Sequence, residues 1–178
     1  MYKNSPLISV IINCHNGEKY LEKSVRSVIR QTYKNWEIIF WDNRSTDNSK
    51  KIIKSFNDKR IKYFKSKKYS TLYKARNIAI KKAKGKYIAF LDTDDWWYKT
   101  KLEEQIKFLK KNKKFQIVYT NFYSYFQNIN KFKKRYSSLP SGLITQKLLN
   151  NYSVGILTVL LEKKFFKKFV FNEKYNIV

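Results

Sequence analysis

The chain has 178 residues, of which 43% are hydrophobic and 17% aromatic, enough to bury one core of ordinary size and too apolar for a disordered segment. No window reaches the roughly 18 to 20 continuous apolar residues of a membrane-spanning helix, Met1-Tyr2-Lys3-Asn4 lacks the apolar run of a signal peptide, and the lone Cys14 excludes an internal disulfide, so a cytoplasmic protein is expected. The formal net charge of +26 attracts polyanions such as nucleic acid, anionic lipid headgroups or nucleotide phosphates; A/T-rich coding produces the same lysine-rich composition, so charge alone selects none of them.

Residues 7–12 (LISVII) form a nearly continuous apolar run rich in β-branched side chains, which predicts a central parallel strand covered on both faces. After residues 13–17, Leu21, Val25, Val28 and Ile29 recur at helical spacing, with Asn16 as the expected cap. Residues 37–41 predict a second buried strand with Trp41 in the core, and Ser45, Thr46 or Asp47 is placed to cap a helix carrying Ile52, Ile53 and Phe56. A short third strand follows at 61–64, then a helix at 72–83 carrying Ala75 and Ala79 and stopped at Gly85, then a fourth strand at 86–91. Beyond Asp95 a helix carries Leu102, Ile106 and Leu109, followed by a strand at 117–122. Residues 123–136 read as a hairpin around Asn128-Ile129-Asn130, and 158–161 as a strand after the loop at 140–142. This alternation implies one α/β domain built on a doubly wound, mostly parallel sheet with helices on both faces.

In an open parallel sheet, ligands bind outside the carboxyl ends of the strands, so the polar clusters there carry the chemistry. They are residues 13–17 (NCHNG), 42–47 (DNRSTD) and 92–95 (DTDD). Asp92, Asp94 and Asp95 repel one another and call for a cation if all are to stay ionised. In extended geometry Asp92 and Asp94 point to the same side, and their hard oxygens suit Mg²⁺ or Mn²⁺ bridged to a diphosphate, while Asp95 points away and is placed to cap the next helix. An acidic turn that merely caps this helix is the plainer alternative on spacing alone. Asp42 is placed to accept hydrogen bonds from a nucleobase or ribose, although caps and Asx-turns explain 42–47 equally well.

Four stretches together resemble family 2 glycosyltransferases with the GT-A fold, of the kind that builds bacterial surface polysaccharides. They are residues 8–21 (ISVIINCHNGEKYL), 31–49 (QTYKNWEIIFWDNRSTDNS), 75–77 (ARN) and 85–102 (GKYIAFLDTDDWWYKTKL), in the family's order and spacing. The resemblance implies that Asp42 holds the base of a nucleotide, that Asn16 and Glu18 lie in the loop beside it, and that Arg76 approaches the nucleotide or its phosphates. Asp92 and Asp94 match the DxD motif, the first contacting ribose or metal-bound water and the second the Mn²⁺ or Mg²⁺ itself. Cys14 and His15 are expected to line the pocket without reacting. Trp96 and Trp97 are read as packing residues, with stacking on a sugar face as the alternative.

The expected activity is inverting, metal-dependent transfer of a sugar from a UDP-, GDP- or dTDP-sugar to a glycan or lipid-linked acceptor, with residues 1–122 binding the donor and 123–178 beginning the acceptor side. The lysines would meet anionic lipid at the inner face of the membrane. Inversion requires a carboxylate base for the acceptor hydroxyl. Residues 171–178 (FNEKYNIV) resemble the lead-in to the segment that contains it, so the base is expected beyond Val178, the chain reads as C-terminally truncated, and Glu173 is not assigned the role. A truncated form that binds donor without transfer is one alternative. Another is a basic module binding single-stranded nucleic acid through Tyr and Lys, although the main reading expects no specific nucleic-acid partner. A nucleotidyltransferase ranks last, for want of a phosphate-binding glycine-rich loop.

Overall fold

The computed structural model describes residues 5–175. Its centre is four parallel strands, β1 (Ile8–Cys14), β2 (Trp36–Asp42), β3 (Ile61–Lys65) and β4 (Tyr87–Phe90), connected through helices α1 (Glu18–Ile29), α2 (Ser49–Ser55) and α3 (Leu72–Lys82). Helix α4 (Lys101–Lys111) leads to a short β5 (Ile117–Val118), the hairpin β6 (Tyr123–Phe126) and β7 (Lys131–Lys134), helix α5 (Thr145–Asn150) and β8 (Leu160–Glu162). β8 inserts antiparallel between β4 and β5, so the strand order is β3-β2-β1-β4-β8-β5, and the hairpin forms a second sheet of its own. The expected α/β architecture is therefore present.

Period-two alternation along β1 divides the core. Ile8, Val10 and Ile12 pack with Leu21 and Val25 of α1 and Leu102 and Ile106 of α4, while Ile11 on the opposite face packs with Ala75, Ala79 and Ile80 of α3. Full burial of each such aliphatic side chain contributes about 1.5–3 kcal/mol. Trp41 joins the α3 face, buried as expected.

Several local expectations differ from the structure. The cap position of α1 belongs to Gly17; Asn16 takes a left-handed φ of 54° and sends its side chain elsewhere. Helix α3 ends at Lys82 with Ala83 as its cap, so Gly85 is not its stop signal. A Cβ on Gly85 would stand 2.6 Å from the Ser9 nitrogen and 2.7 Å from its Oγ, so glycine serves there to let the α3–β4 connection press against β1. The strand expected over 117–122 has only two residues, because β8 pairs with Ile117 and Val118 alone and the Phe122 carbonyl turns to accept from the Arg135 N–H. Helix α5 was not foreseen; its six residues are too few for a periodic signal.

Candidate functional site

The loops that leave β1 and β2 are tied to each other by reciprocal hydrogen bonds. Ser45 Oγ accepts from the Asn16 N–H at 3.1 Å, and Asn16 Oδ1 accepts from the Thr46 N–H at 2.8 Å. Asp47 Oδ2 accepts from the Glu18 N–H and its Oδ1 from the Ser49 N–H, so one carboxylate serves the first turns of both α1 and α2. Glu18 Oε2 returns the contact by accepting from the Asn48 N–H and side-chain amide, both at 2.8 Å. Asn16 and Glu18 thus use their side chains to hold the two loops together. His15 follows on the exposed side, its Nδ1 3.0 Å from the Asn43 carbonyl and its ring edge-on to Tyr69 at 4.8 Å.

Asp42 closes β2 with no exposed surface, and both of its oxygens are occupied. Oδ1 accepts from the Ser45 N–H at 2.7 Å, and Oδ2 from the Tyr63 hydroxyl of β3 at 2.6 Å. Burial and then the Asp42 carboxylate push the Tyr63 hydroxyl well above the usual phenol range, so Tyr63 stays a hydrogen-bond donor. Sequence reasoning missed Tyr63; its only signal was a polar-tipped aromatic in a strand beside the Asp42 strand. Cys14 is buried, and that burial raises its thiol, which disfavours the reactive thiolate.

Residues 92–95 form a tight turn, the Asp95 N–H donating to the Asp92 carbonyl at 3.2 Å, which replaces the extended geometry expected for the acidic cluster. Asp95 is not a helix cap, because α4 begins only at Lys101 behind Thr100. Burial, and then the neighbouring Asp94 and Asp92, push the Asp95 carboxyl up to about 6. Arg76, 6% exposed on α3, donates to Asp92 Oδ1 at 2.9 Å and so joins the ARN segment to the acidic turn. Asp94 is exposed. The Asn13 amide nitrogen, at the end of β1, is buried without a hydrogen-bond partner. Ile11 pairs with Phe90 on the α3 side of the sheet, and Asn13 and Asp92 each lie two residues beyond on that side. Buried polar atoms are normally satisfied, which makes Asn13 a donor available to an incoming acceptor.

Asn77, next to Arg76, fastens the last described segment: its Nδ2 donates to the Phe171 carbonyl and to Glu173 Oε1, and its Oδ1 accepts from the Phe171 N–H. Phe171 packs against Tyr73 and Phe90. The base expected beyond Val178, and residues 176–178 of the segment leading to it, lie outside the described residues.

On the other side of the acidic turn opens a cavity of about 1010 Å³ between Asp94, Lys101 and the β6–β7 hairpin. The two indoles split their roles here. Both line the cavity, but Trp97 is buried and donates to the Leu157 carbonyl at 3.0 Å, whereas Trp96 is half-buried, with Lys23 Nζ 3.2 Å from its ring centre and Tyr125 edge-on at 5.6 Å. Lys101 lines the same cavity, donates to Gln105 Oε1 at 2.9 Å, and is pushed down to about 7 by burial.

A mostly parallel α/β sheet that gathers carboxylates and an arginine at the carboxyl edge of its strands belongs to the broad class of open α/β folds, which take their ligands at that edge. Residues 9–173 match the family described as Glycosyl transferase family 2, and the chain belongs to that family. A relative in Escherichia coli, the UDP-Glc:alpha-D-GlcNAc-diphosphoundecaprenol beta-1,3-glucosyltransferase WfgD, is 37% identical over 93% of this chain, which spans 64% of that protein's length. The crystal structure of S. aureus TarS 1-349 in complex with UDP superposes with a TM-score of 0.76 at 20% identity, covering 95% of this chain and 51% of that one. The mannosyltransferase PcManGT from Pyrobaculum calidifontis, in complex with GDP-Man and Mn²⁺, superposes with a TM-score of 0.56 at 20% identity, covering 60% of this chain and 33% of that one. Both structural likenesses support the GT-A fold.

Proposed function

We propose that this chain binds a UDP-sugar donor and belongs to an enzyme that transfers the sugar, with inversion, to a glycan linked to a lipid diphosphate in cell-surface polysaccharide synthesis. The observation that carries the proposal is the convergence of Asp42, Arg76, Asp92 and Asp94 on one sheet edge in a chain of this family. The E. coli relative's name specifies UDP-Glc and a diphosphoundecaprenol acceptor, which makes UDP-glucose the first donor to test.

Asp42, buried and holding the Ser45 N–H and the Tyr63 hydroxyl, would fix the loop beside which the nucleoside sits, together with the Asn16–Glu18 loop. Arg76 would hold Asp92 in position and add positive charge beside the diphosphate. Among the described residues, no three His, Cys, Asp or Glu groups form a ready cation cage. A Mg²⁺ or Mn²⁺ that takes one or two carboxylates and completes its shell with diphosphate oxygens and water needs no such cage, and Asp94 with Asp92 supply that set. Burial first, and then the neighbouring Asp94 and Asp92, raise the Asp95 carboxyl, and a cation beside the turn would offset the part due to those neighbours. When bound, the metal would offset charge on the departing nucleoside diphosphate.

The test is a thermal-shift titration of the chain with UDP, GDP and dTDP, each with and without Mn²⁺, repeated on Asp94→Asn. A ligand at one hundred times its dissociation constant stabilises the folded state by about 2.7 kcal/mol. UDP should raise the melting temperature only with metal, and Asp94→Asn should abolish the shift. A UDP shift that ignores both metal and Asp94 would refute the assignment of the acidic turn.

A further inference from the structure

We propose that the surface formed by the end of α4, β5 and the segment around α5 docks the protein onto an anionic phospholipid bilayer. From Gln105 to Leu161 the sequence contains ten Lys and Arg residues and no Asp or Glu. A groove of about 1090 Å³ runs along this stretch and under α5, with Phe115, Leu148 and Leu161 in its walls and Lys107, Lys111 and Lys114 on its lining, against one carboxylate, Glu104. Glu103 and Glu104 sit 3.4 Å and 3.9 Å from Lys107, and among the described residues no ion pair engages Lys111 or Lys114.

At the mouth of the groove the apolar side chains face outward. Leu143 is 101% exposed, Leu149 75% and Tyr152 70%, each beside or among residues that line the groove. Isolated exposed leucines are ordinary, but exposed aliphatic side chains next to the lining of an open apolar groove that also carries lysines form an amphipathic surface. The chemistry selects the partner. Phosphate headgroups would meet the lysines while the leucines enter the acyl boundary. A nucleic acid offers nothing to aliphatic leucines, and a second copy of a chain carrying +26 would repel the first. The contact proposed is surface attachment by this face; among the described residues no helix is long and apolar enough to cross a membrane. This attachment is independent of the transfer reaction, and its test reads binding and not turnover.

The experiment is co-sedimentation of the purified chain with phosphatidylcholine vesicles, with and without phosphatidylglycerol. The parent should pellet only with the anionic vesicles. The triple variant Lys111→Gln, Lys113→Gln, Lys114→Gln should lose about tenfold or more in partitioning. The double variant Leu143→Asp, Leu149→Asp should also lose binding, and both of its sites are too exposed to disturb the core. A control triple, Lys50→Gln, Lys51→Gln, Lys62→Gln, makes the same charge change on α2 and β3 at the far end of the sheet and should retain binding. Equal loss in both triples would reduce the effect to net charge and overturn the site. Failure of the parent to pellet, or a dimer in sedimentation equilibrium that the leucine variant dissociates, would overturn it as well.

Discussion

The loops at the ends of β1 and β2 and the β6–β7 hairpin are held by different forces. Between the loops the ties are directional: Asp47 accepts from two helix N-termini, Glu18 and Asn16 reach across in return, and Asp42 is buried with an acceptor bond at each oxygen. The hairpin touches the body through ring contacts of Trp96 with Tyr125 and Phe132 and of Tyr98 with Tyr123, plus a hydrogen bond from Tyr20 to Gln127. Satisfied buried polar networks specify a single geometry, whereas ring edges slide at little energetic cost. The difference teaches that the side formed by the β1 and β2 loops is built for positional precision, and the hairpin side is built to tolerate small shifts around the cavity.

The largest expected effect lies on the rigid side. Asp42→Ala removes the acceptor from two donors and should cost about 2–4 kcal/mol of global stability, read by urea denaturation. If the loss is below about 0.5 kcal/mol, water serves those donors and the contrast between the two sides weakens. Trp96→Ala should cost about 1 kcal/mol or less globally while hydrogen exchange accelerates selectively at the amides of β6 and β7. Uniform protection loss across the sheet in this variant would show that the hairpin is integral to the core.

The smallest effect concerns Lys101, which packs at 4.1 Å over the Trp97 ring between the two sides. Its amine is held near 7 in the folded state by burial, below the ordinary lysine value, so the unfolded chain keeps the proton to higher pH. The penalty is therefore complete below about pH 7 and is relieved as pH rises towards about 10. Lys101→Met should stabilise the protein by about 1 kcal/mol at pH 6, and the difference from the parent should shrink through pH 8 to pH 10 in parallel urea titrations. A difference independent of pH would assign the effect to packing alone.

The strands β1 to β4 and helices α1 to α4 were legible because each carries its own period, whether the apolar run of residues 7–12 or the spacing of Leu102, Ile106 and Leu109. The acidic cluster was legible because three carboxylates in four residues demand an electrostatic explanation. The turn at 92–95 was not, because spacing does not report φ and ψ. Nor was the Arg76–Asp92 pair derivable from local pattern, since its members lie on different elements and only the family resemblance linked their segments.

Local periodicity and composition thus determined the element types, the fold class and the three polar strand ends, because those depend on side-chain patterns within a few residues. Tertiary structure decided what those residues face. It placed Tyr63 on Asp42, Asn77 on Phe171, Gly85 against Ser9, and β8 between β4 and β5. These choices rest on contacts between distant positions, where one hydrogen bond or one close approach selects among partners that the linear order leaves equivalent.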